Sequence, residues 1–313
     1  MNTQSRIFVA GHGGMVGSAI VRALTQAGHT NIITASREEL DLRGQASVRT
    51  FFERSKPEYV ILAAAIVGGI EANRSRPVEF LRDNLQIQNN VIDSSYAVDI
   101  KKLVFLGSSC IYPRETQQPM REEYLLTGPL EPTNEGYALA KIAGLRLAQY
   151  YQRQYGMECL IPIPCNLYGP NDSFDPKNAH VLSANVRRFV DAAKDNIPEV
   201  TVWGTGSAKR EFMHVDDLAR ALLFLMDAWK SPEVINVGTG VDLTIKELVE
   251  LIAQKAEYKG RIIWDATKPD GMPRKCMDIS KLAKLGFKPT MTLEHGIEQM
   301  INDYRTKATT LSQ

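Results

Sequence analysis

Arg6-Ile7-Phe8-Val9-Ala10 runs without a break into Gly11-His12-Gly13-Gly14-Met15-Val16-Gly17, and a helical pattern follows from Ser18 to Ala27. An apolar run, a glycine loop and a helix in that order predict a buried strand that turns sharply into a helix N-terminus. Gly11 permits the tight turn, Gly14 lets the backbone approach a pyrophosphate, and Gly17 lets the helix lie close to the sheet. The first-turn N–H groups would then hold the anion. A chain that begins this way is built to bind a dinucleotide.

Apolar runs recur at Tyr59 to Ala65, Leu103 to Leu106 and Leu160 to Ile163, separated by segments of helical character. Such alternation predicts an α/β fold: a Rossmann-type doubly wound parallel sheet with ligands at the carboxyl ends of its strands. Ala63 and Ala65 emerge at such an end, where small residues suit a closely lying cofactor and equally suit ordinary packing. After about Asn166 turn formers become frequent, and Arg210 to Leu218, an apolar helix to Ala228 and Val234 to Gly238 look like a return to the first domain. The expected division is a dinucleotide domain of residues 1–165 and about 211–240, with a smaller, discontinuous α/β substrate lobe of about 166–210 and 241–313.

The end of the second strand, Asn31 to Arg37, selects the dinucleotide. An acid there binds a ribose 2′-hydroxyl, whereas an arginine accommodates a 2′-phosphate. Ser36-Arg37 favours NADP, although Glu38 and Glu39 follow at once and a strand ending two residues later would favour NAD. A formal net charge of +1 with 23% charged residues carries no nucleic-acid signature. The start lacks a charged leader with an apolar stretch, and no apolar run approaches the ~18 residues of a membrane span, so a cytoplasmic enzyme without membrane or nucleic-acid partners is expected. Cys110, Cys159, Cys165 and Cys276 are too few and irregular for a disulfide framework or a metal site. Cys159 and Cys165 flank an apolar strand and read as core; Cys276, in Arg274-Lys275-Cys276-Met277, has no role legible from the pattern.

Tyr137 and Lys141 stand four residues apart, which on a helix puts a phenol and an ammonium on one face. A nearby cation favours the phenolate and would lower the tyrosine towards the range of a general acid or base. The preceding Pro132-Thr133-Asn134 offers an N-cap, placing Tyr137 in a first or second turn. Such a pair also decorates many solvated helices. Its company is Gly107-Ser108-Ser109-Cys110-Ile111-Tyr112-Pro113 at a strand end, whose hydroxyls would face the same crevice.

At these residues the chain resembles the extended short-chain dehydrogenase/reductase family, in which a serine joins the Tyr and Lys of Tyr-xxx-Lys. The likeness narrows to the GDP-L-fucose synthase branch, the NADPH-dependent 3,5-epimerase/4-reductases of GDP-4-keto-6-deoxy-D-mannose. It is carried by Gly11-His12 through Gly17, Ala63 to Ile70, Gly107 to Pro113, Leu130 to Glu135, Asn166 to Asp172, Val202 to Gly206, Arg210-Glu211-Phe212 and Lys268-Pro269-Asp270-Gly271, and the family's histidine maps onto His180 of Asn178-Ala179-His180-Val181. The resemblance implies Ser108, Tyr137 and Lys141 as the reductase group, with Cys110 and His180 as base and acid for epimerisation. It further implies cofactor contacts at Gly11, Gly14, Met15, Val16, Gly17, Arg37, Asp41, Ala63, Ala65, Gly107, Ser108, Lys141, Pro164, Asn166, Leu167 and His180. Substrate contacts fall on Arg188, Trp203, Arg210 and Asp270, residue types suited to a diphosphate and a flat base. Pattern alone does not choose between Arg187 and Arg188; the resemblance selects Arg188. A homodimer is implied by the family only.

The chemistry accounts for residues that a plain reductase would not need. A C4 ketone acidifies the protons on C3 and C5, so one base and one acid can invert both carbons through enolates before reduction. A 4,6-dehydratase would carry an adjacent acid pair where this chain has Ser109-Cys110, and a non-catalytic NADP-binding regulator need not keep Ser, Tyr and Lys together. The chain departs from its relatives at Gly13, where a basic residue is common, and at Gly136, Cys165 and Ala179. Gly136 is expected to loosen the first turn before Tyr137.

Overall fold

The computed structural model describes residues 1–175, 179–268 and 270–310; Asn178 and Pro269, quoted above, lie outside them. Strands β1 (Ile7–Ala10), β2 (Ile32–Ile33), β3 (Tyr59–Leu62), β4 (Lys102–Phe105) and β5 (Cys159–Pro164) alternate with helices α1 (Met15–Gln26), α2 (Gln45–Ser55), α3 (Ile70–Ser75), α4 (Pro77–Ala97) and α5 (Glu135–Tyr155). The later chain adds β6 (Asn166–Tyr168), α6 (Val181–Lys194), β7 (Glu199–Trp203), β8 (Lys209–His214), α7 (Val215–Ala228) and β9 (Val234–Val237). It continues with β10 (Asp242–Thr244), α8 (Ile245–Lys255), β11 (Arg261–Asp265), β12 (Arg274–Lys275), α9 (Ser280–Lys284) and α10 (Leu293–Thr310).

Six strands form one wholly parallel sheet in the order β2-β1-β3-β4-β5-β9. Every residue of β1, β4, β5 and β9 is buried, as a parallel sheet with helices over both faces requires. The order reverses at β1, so the crevice that receives ligands opens between the ends of β1 and β3. Gly11, at φ +85°, makes the turn there, and a Cβ on it would sit 2.7 Å from the Ala64 backbone. Strand β2 is only two residues long, so Arg37 lies in the turn beyond it rather than at its end.

Pairing of β4 with β5 covers Leu103 and Val104, then stops as Pro162 and Pro164 offer no N–H to extend that ladder. Beyond it the link is the Gly107 N–H donating to the Pro162 carbonyl at 2.9 Å. Proline thus parts the chain where Ser108 and Cys110 follow. On its other side β5 pairs from Ile161 to Pro164 with β9, which the chain reaches through α7.

A second layer joins β6, β8, β10 and β12, with β7 and β11 paired in parallel beside it. Its core gathers Phe189 of α6, Phe212 of β8, Ile252 of α8 and Met300 of α10, apart from the core under the main sheet. Residues Met277, Leu282 and Phe287 pack with the main-sheet core instead, although they fall late in the chain. Strand β8 serves both cores, Phe212 facing one and Met213 the other. No helix among the described residues is long and apolar enough to cross a membrane.

A Cβ on Gly17 would run into the Gly11 carbonyl and the His12 backbone. Gly17→Ala is therefore expected to lower the unfolding free energy by about 1–3 kcal/mol, seen as a reduced urea midpoint with an unchanged slope.

Candidate active site

Two adjoining cavities occupy the carboxyl edge of the main sheet. The first, of 350 Å³, is lined by the glycine loop, Arg37, Asp41, Arg43 and Ala63 to Val67. The second, of 250 Å³, is lined by Ser108, Cys110, Asn134, Tyr137, Lys141, Pro164, Asn166, Leu167 and His180 among others. Met15, Val16, Ala63, Ala65 and Val67 belong to both walls. Their sizes suit the two ends of an extended ligand.

The residues of the first cavity fit a dinucleotide. Helix α1 starts at Gly14 with neither a side-chain cap nor an acidic residue in its first turn, so its N–H groups face an incoming anion unopposed. Of the competing residues beyond β2, Arg37 lines the cavity, while Glu39 turns back to accept from the Ser36 N–H at 2.7 Å. Asp41 also lines it. Its carboxylate is held by the Arg43 guanidinium, whose hydrogen bonds bring it down to about 2. Arg43 in turn bridges to Asp83, so both its neighbours are carboxylates and Arg37 is the cation left facing the cavity. A Cβ on Gly13 would meet nothing within 4 Å, so the missing basic side chain leaves open space.

In the second cavity Tyr137 occupies the first turn of α5. Gly136 beside it lies against α4: a Cβ would stand 3.1 Å from the Pro77 carbonyl, so the small residue lets the two helices approach. The Tyr137 ring meets Phe80 edge-on at 6.4 Å between centroids. Burial pushes the phenol up, the nearby Cys110 adds to this, and the facing Ser108 hydroxyl pulls it back. The sequence expectation was the reverse. Lys141 explains why: its ammonium is itself buried, donates to the Leu106 carbonyl at 2.9 Å, and is pulled down to about 8 by desolvation. It lies 5.9 Å from the Tyr137 ring centre. Spacing predicts that pair's shared face, but depth in the protein decides the sign.

Cys110 stands in the short turn Ser109–Ile111 after β4, with the Ser108 hydroxyl accepting from its N–H at 3.3 Å. Two donors reach its sulfur, Asn134 Nδ2 at 3.2 Å and Lys275 Nζ at 3.5 Å. Sequence reasoning missed both. The expected cap, Thr133 or Asn134, falls at Asn134, yet its side chain makes no cap bond to α5. Lys275 lies in the segment quoted for Cys276, but nothing in its pattern points at Cys110. Cys276 itself is buried and raised to about 11 by desolvation, as expected of a packing thiol.

His180 is exposed at the N-cap of α6 and lines the same cavity. Asn166 donates to the Glu211 carbonyl at 2.7 Å, which fixes its side chain beside Leu167. Arg188 and Arg210 are not in that wall. Burial pulls both guanidiniums below their ordinary range, and among the described residues no carboxylate lies within salt-bridge distance of either. Arg187, by contrast, bonds the Phe174 carbonyl and pairs with Asp191 at 3.6 Å. Asp270 accepts from the Thr205 N–H and hydroxyl, both at 2.7 Å, while its own carbonyl accepts from Arg210 at 3.4 Å. Trp203 is 63% exposed, with the Lys268 ammonium 5.4 Å over its ring centre.

The family model for the NAD dependent epimerase/dehydratase family matches residues 7–238. A putative GDP-L-fucose synthase 2 of Arabidopsis thaliana is 55% identical, over 97% of this chain and 93% of its own. The GDP-L-fucose synthase of Escherichia coli K12 is 49% identical, over 94% of this chain and 95% of its own. Among solved structures, an NADP-bound GDP-L-fucose synthetase from Naegleria fowleri superposes with a TM-score of 0.90 at 27% identity, covering 99% of this chain and 97% of that one.

The buried ammonium of Lys141 has a consequence for stability in the absence of ligands. Its folded value, about 8, lies below the ordinary 10.5. Between those pH values the unfolded chain binds more protons, so the folded state gains stability as pH rises through the window. Relative to Lys141→Met, the wild-type unfolding free energy should increase by on the order of 2 kcal/mol across it, measured by urea denaturation at a series of pH values. A flat difference contradicts the reading.

Proposed function

The chain belongs to the NAD dependent epimerase/dehydratase family, and on that premise we propose that it converts GDP-4-keto-6-deoxy-D-mannose to GDP-L-fucose. The observation that carries the reading is the single cavity shared by a reductase trio and a cysteine–histidine pair. When bound, NADPH supplies hydride for the C4 carbonyl. The residues suited to hold it are Gly11, Gly14, Met15, Val16 and Gly17 at the pyrophosphate, and Arg37 at the 2′-phosphate. Asp41, Ala63, Ala65, Gly107, Pro164, Asn166, Leu167 and His180 complete that wall. Lys141 orients the ribose.

Cys110 removes the proton from C3 or C5 and His180 returns one from the opposite side, while Ser108 and Tyr137 donate hydrogen bonds to the enolate oxygen. Tyr137, held in its protonated form by burial, then gives its proton to the C4 alkoxide. Arg188 and Arg210, which have no carboxylate within salt-bridge distance among the described residues, suit the diphosphate; Trp203 and Asp270 suit the base and its sugar. The division into a cofactor domain of residues 1–165 and about 211–240 and a substrate lobe from the remainder is part of this reading. So is a homodimer, supported by exposed Val78 and Tyr96 on α4 and Leu139, Tyr150 and Tyr155 on α5. A cytoplasmic location fits the four free cysteines.

Loss of NADPH absorbance on adding the ketosugar, with GDP-fucose as product, is the expected outcome; absence of oxidation would sink the reductase reading. Cys110→Ser should reduce deuterium incorporation at C3 and C5 by on the order of 10²-fold or more, and should slow reduction of an already epimerised ketosugar far less. Exchange at the wild-type rate would remove Cys110 as the base.

A further inference from the structure

We propose that Lys275 is the cation that pairs with the Cys110 sulfur when it acts as base, with Asn134 donating a second hydrogen bond to the same sulfur. The inference rests on the epimerase reading above and adds to it two positioning residues, one from each side of the cleft. Lys275 Nζ stands 3.5 Å and Asn134 Nδ2 3.2 Å from Cys110 Sγ. Ammonium and amide are both donors with no acceptor competing at the nitrogen, so sulfur is the acceptor in each contact. A thiolate is a far better acceptor than a thiol, and a lysine beside it is the arrangement that favours the anion.

Neither donor is a loose surface group. Asn134 is the N-cap residue of α5; among the described residues its buried Oδ1 has no hydrogen-bond partner, while its Nδ2 donates to the sulfur. Lys275 lies in β12, in register with Arg210 of β8. The next residues are pinned on both sides: the Cys276 N–H donates to Gln118 Oε1 at 3.0 Å and the Met277 N–H to Glu211 Oε2 at 2.7 Å. The Met120 N–H donates back to the Cys276 carbonyl at 2.7 Å. The ammonium is thus delivered by a fixed strand.

The other groups facing Cys110 are the Ser108 hydroxyl on its own turn, the Tyr137 phenol on α5 and the Arg210 guanidinium on β8. Glu131 and Asp270 act on Arg210. Lys141 and His180 line the same cavity, and Lys275 is the cation that bonds the sulfur directly.

The test is the rate at which iodoacetamide alkylates Cys110 in the apo protein from about pH 6 to pH 10, read by peptide mass spectrometry so that Cys159, Cys165 and Cys276 are counted apart. Lys275→Met is expected to lower the neutral-pH rate by about tenfold and to move the profile to higher pH by about one unit, while Lys275→Arg restores it. Asn134→Ala, on the opposite wall, should move the profile in the same direction. A profile unmoved in folded Lys275→Met overturns the proposal, as does an effect confined to KM for the GDP-sugar, which would make Lys275 a diphosphate ligand. If Lys275→Met does not fold, an unmoved profile in Asn134→Ala overturns it instead. Should the profile shift while Cys110→Ser still exchanges C3 and C5 protons, the ion pair stands and the base assignment falls.

Discussion

One carboxylate, wholly removed from solvent, holds the catalytic half of this molecule together. Glu211 accepts from the Thr239 and Gly240 N–H groups beyond β9 and from the Met277 N–H beyond β12. Burial pushes its carboxyl up and those backbone donors pull it down. A buried charge is tolerable only when its lone pairs are filled this way, and removing the donors would leave a desolvation cost of several kcal/mol. The cost is what makes it a joint: three segments distant in sequence must converge before the group can be buried at all. Arg210 and Lys275 take their places from that convergence.

The larger architecture was legible because it depends on short-range pattern. The Arg6 to Gly17 segment specifies strand, turn and helix through residues that touch one another, and the alternation that follows leaves a parallel sheet as the one economical way to bury runs such as Cys159 to Pro164. Tyr137 and Lys141 were legible for the same reason, since a helix fixes the relation between positions four apart. The resemblance to a known family added Cys110 and His180, which pattern alone would have left as a packing thiol and a loop histidine.

What escaped the sequence depends on register between remote strands or on depth. Lys275 reaches Cys110 across 165 positions through the pairing of β12 with β8. No local signal encodes that distance. Asn134 does stand at the N-cap of α5, but its oxygen caps nothing and its amide N–H goes instead to a sulfur that sequence spacing does not reveal. The direction of the Tyr137 shift was misjudged because burial, which spacing does not report, outweighs a lysine that is itself desolvated. Gly136, expected to weaken a helix, instead answers to the Pro77 carbonyl on a neighbouring one.

Strand β8 presents Arg210 and Glu211 in succession, and successive residues of a strand point to opposite faces. One therefore serves the cleft and the other the interior joint, while β12 runs beside them with Lys275 opposite Arg210. Sliding β12 by a single position would bring Cys276 or Arg274 to that place and take the Met277 N–H away from Glu211. The number of residues between Asp270 and Met277 is thus as much a part of the site as their identities. An insertion or deletion in this segment would therefore disturb the Lys275 contact to Cys110 and the Met277 contact to Glu211 together.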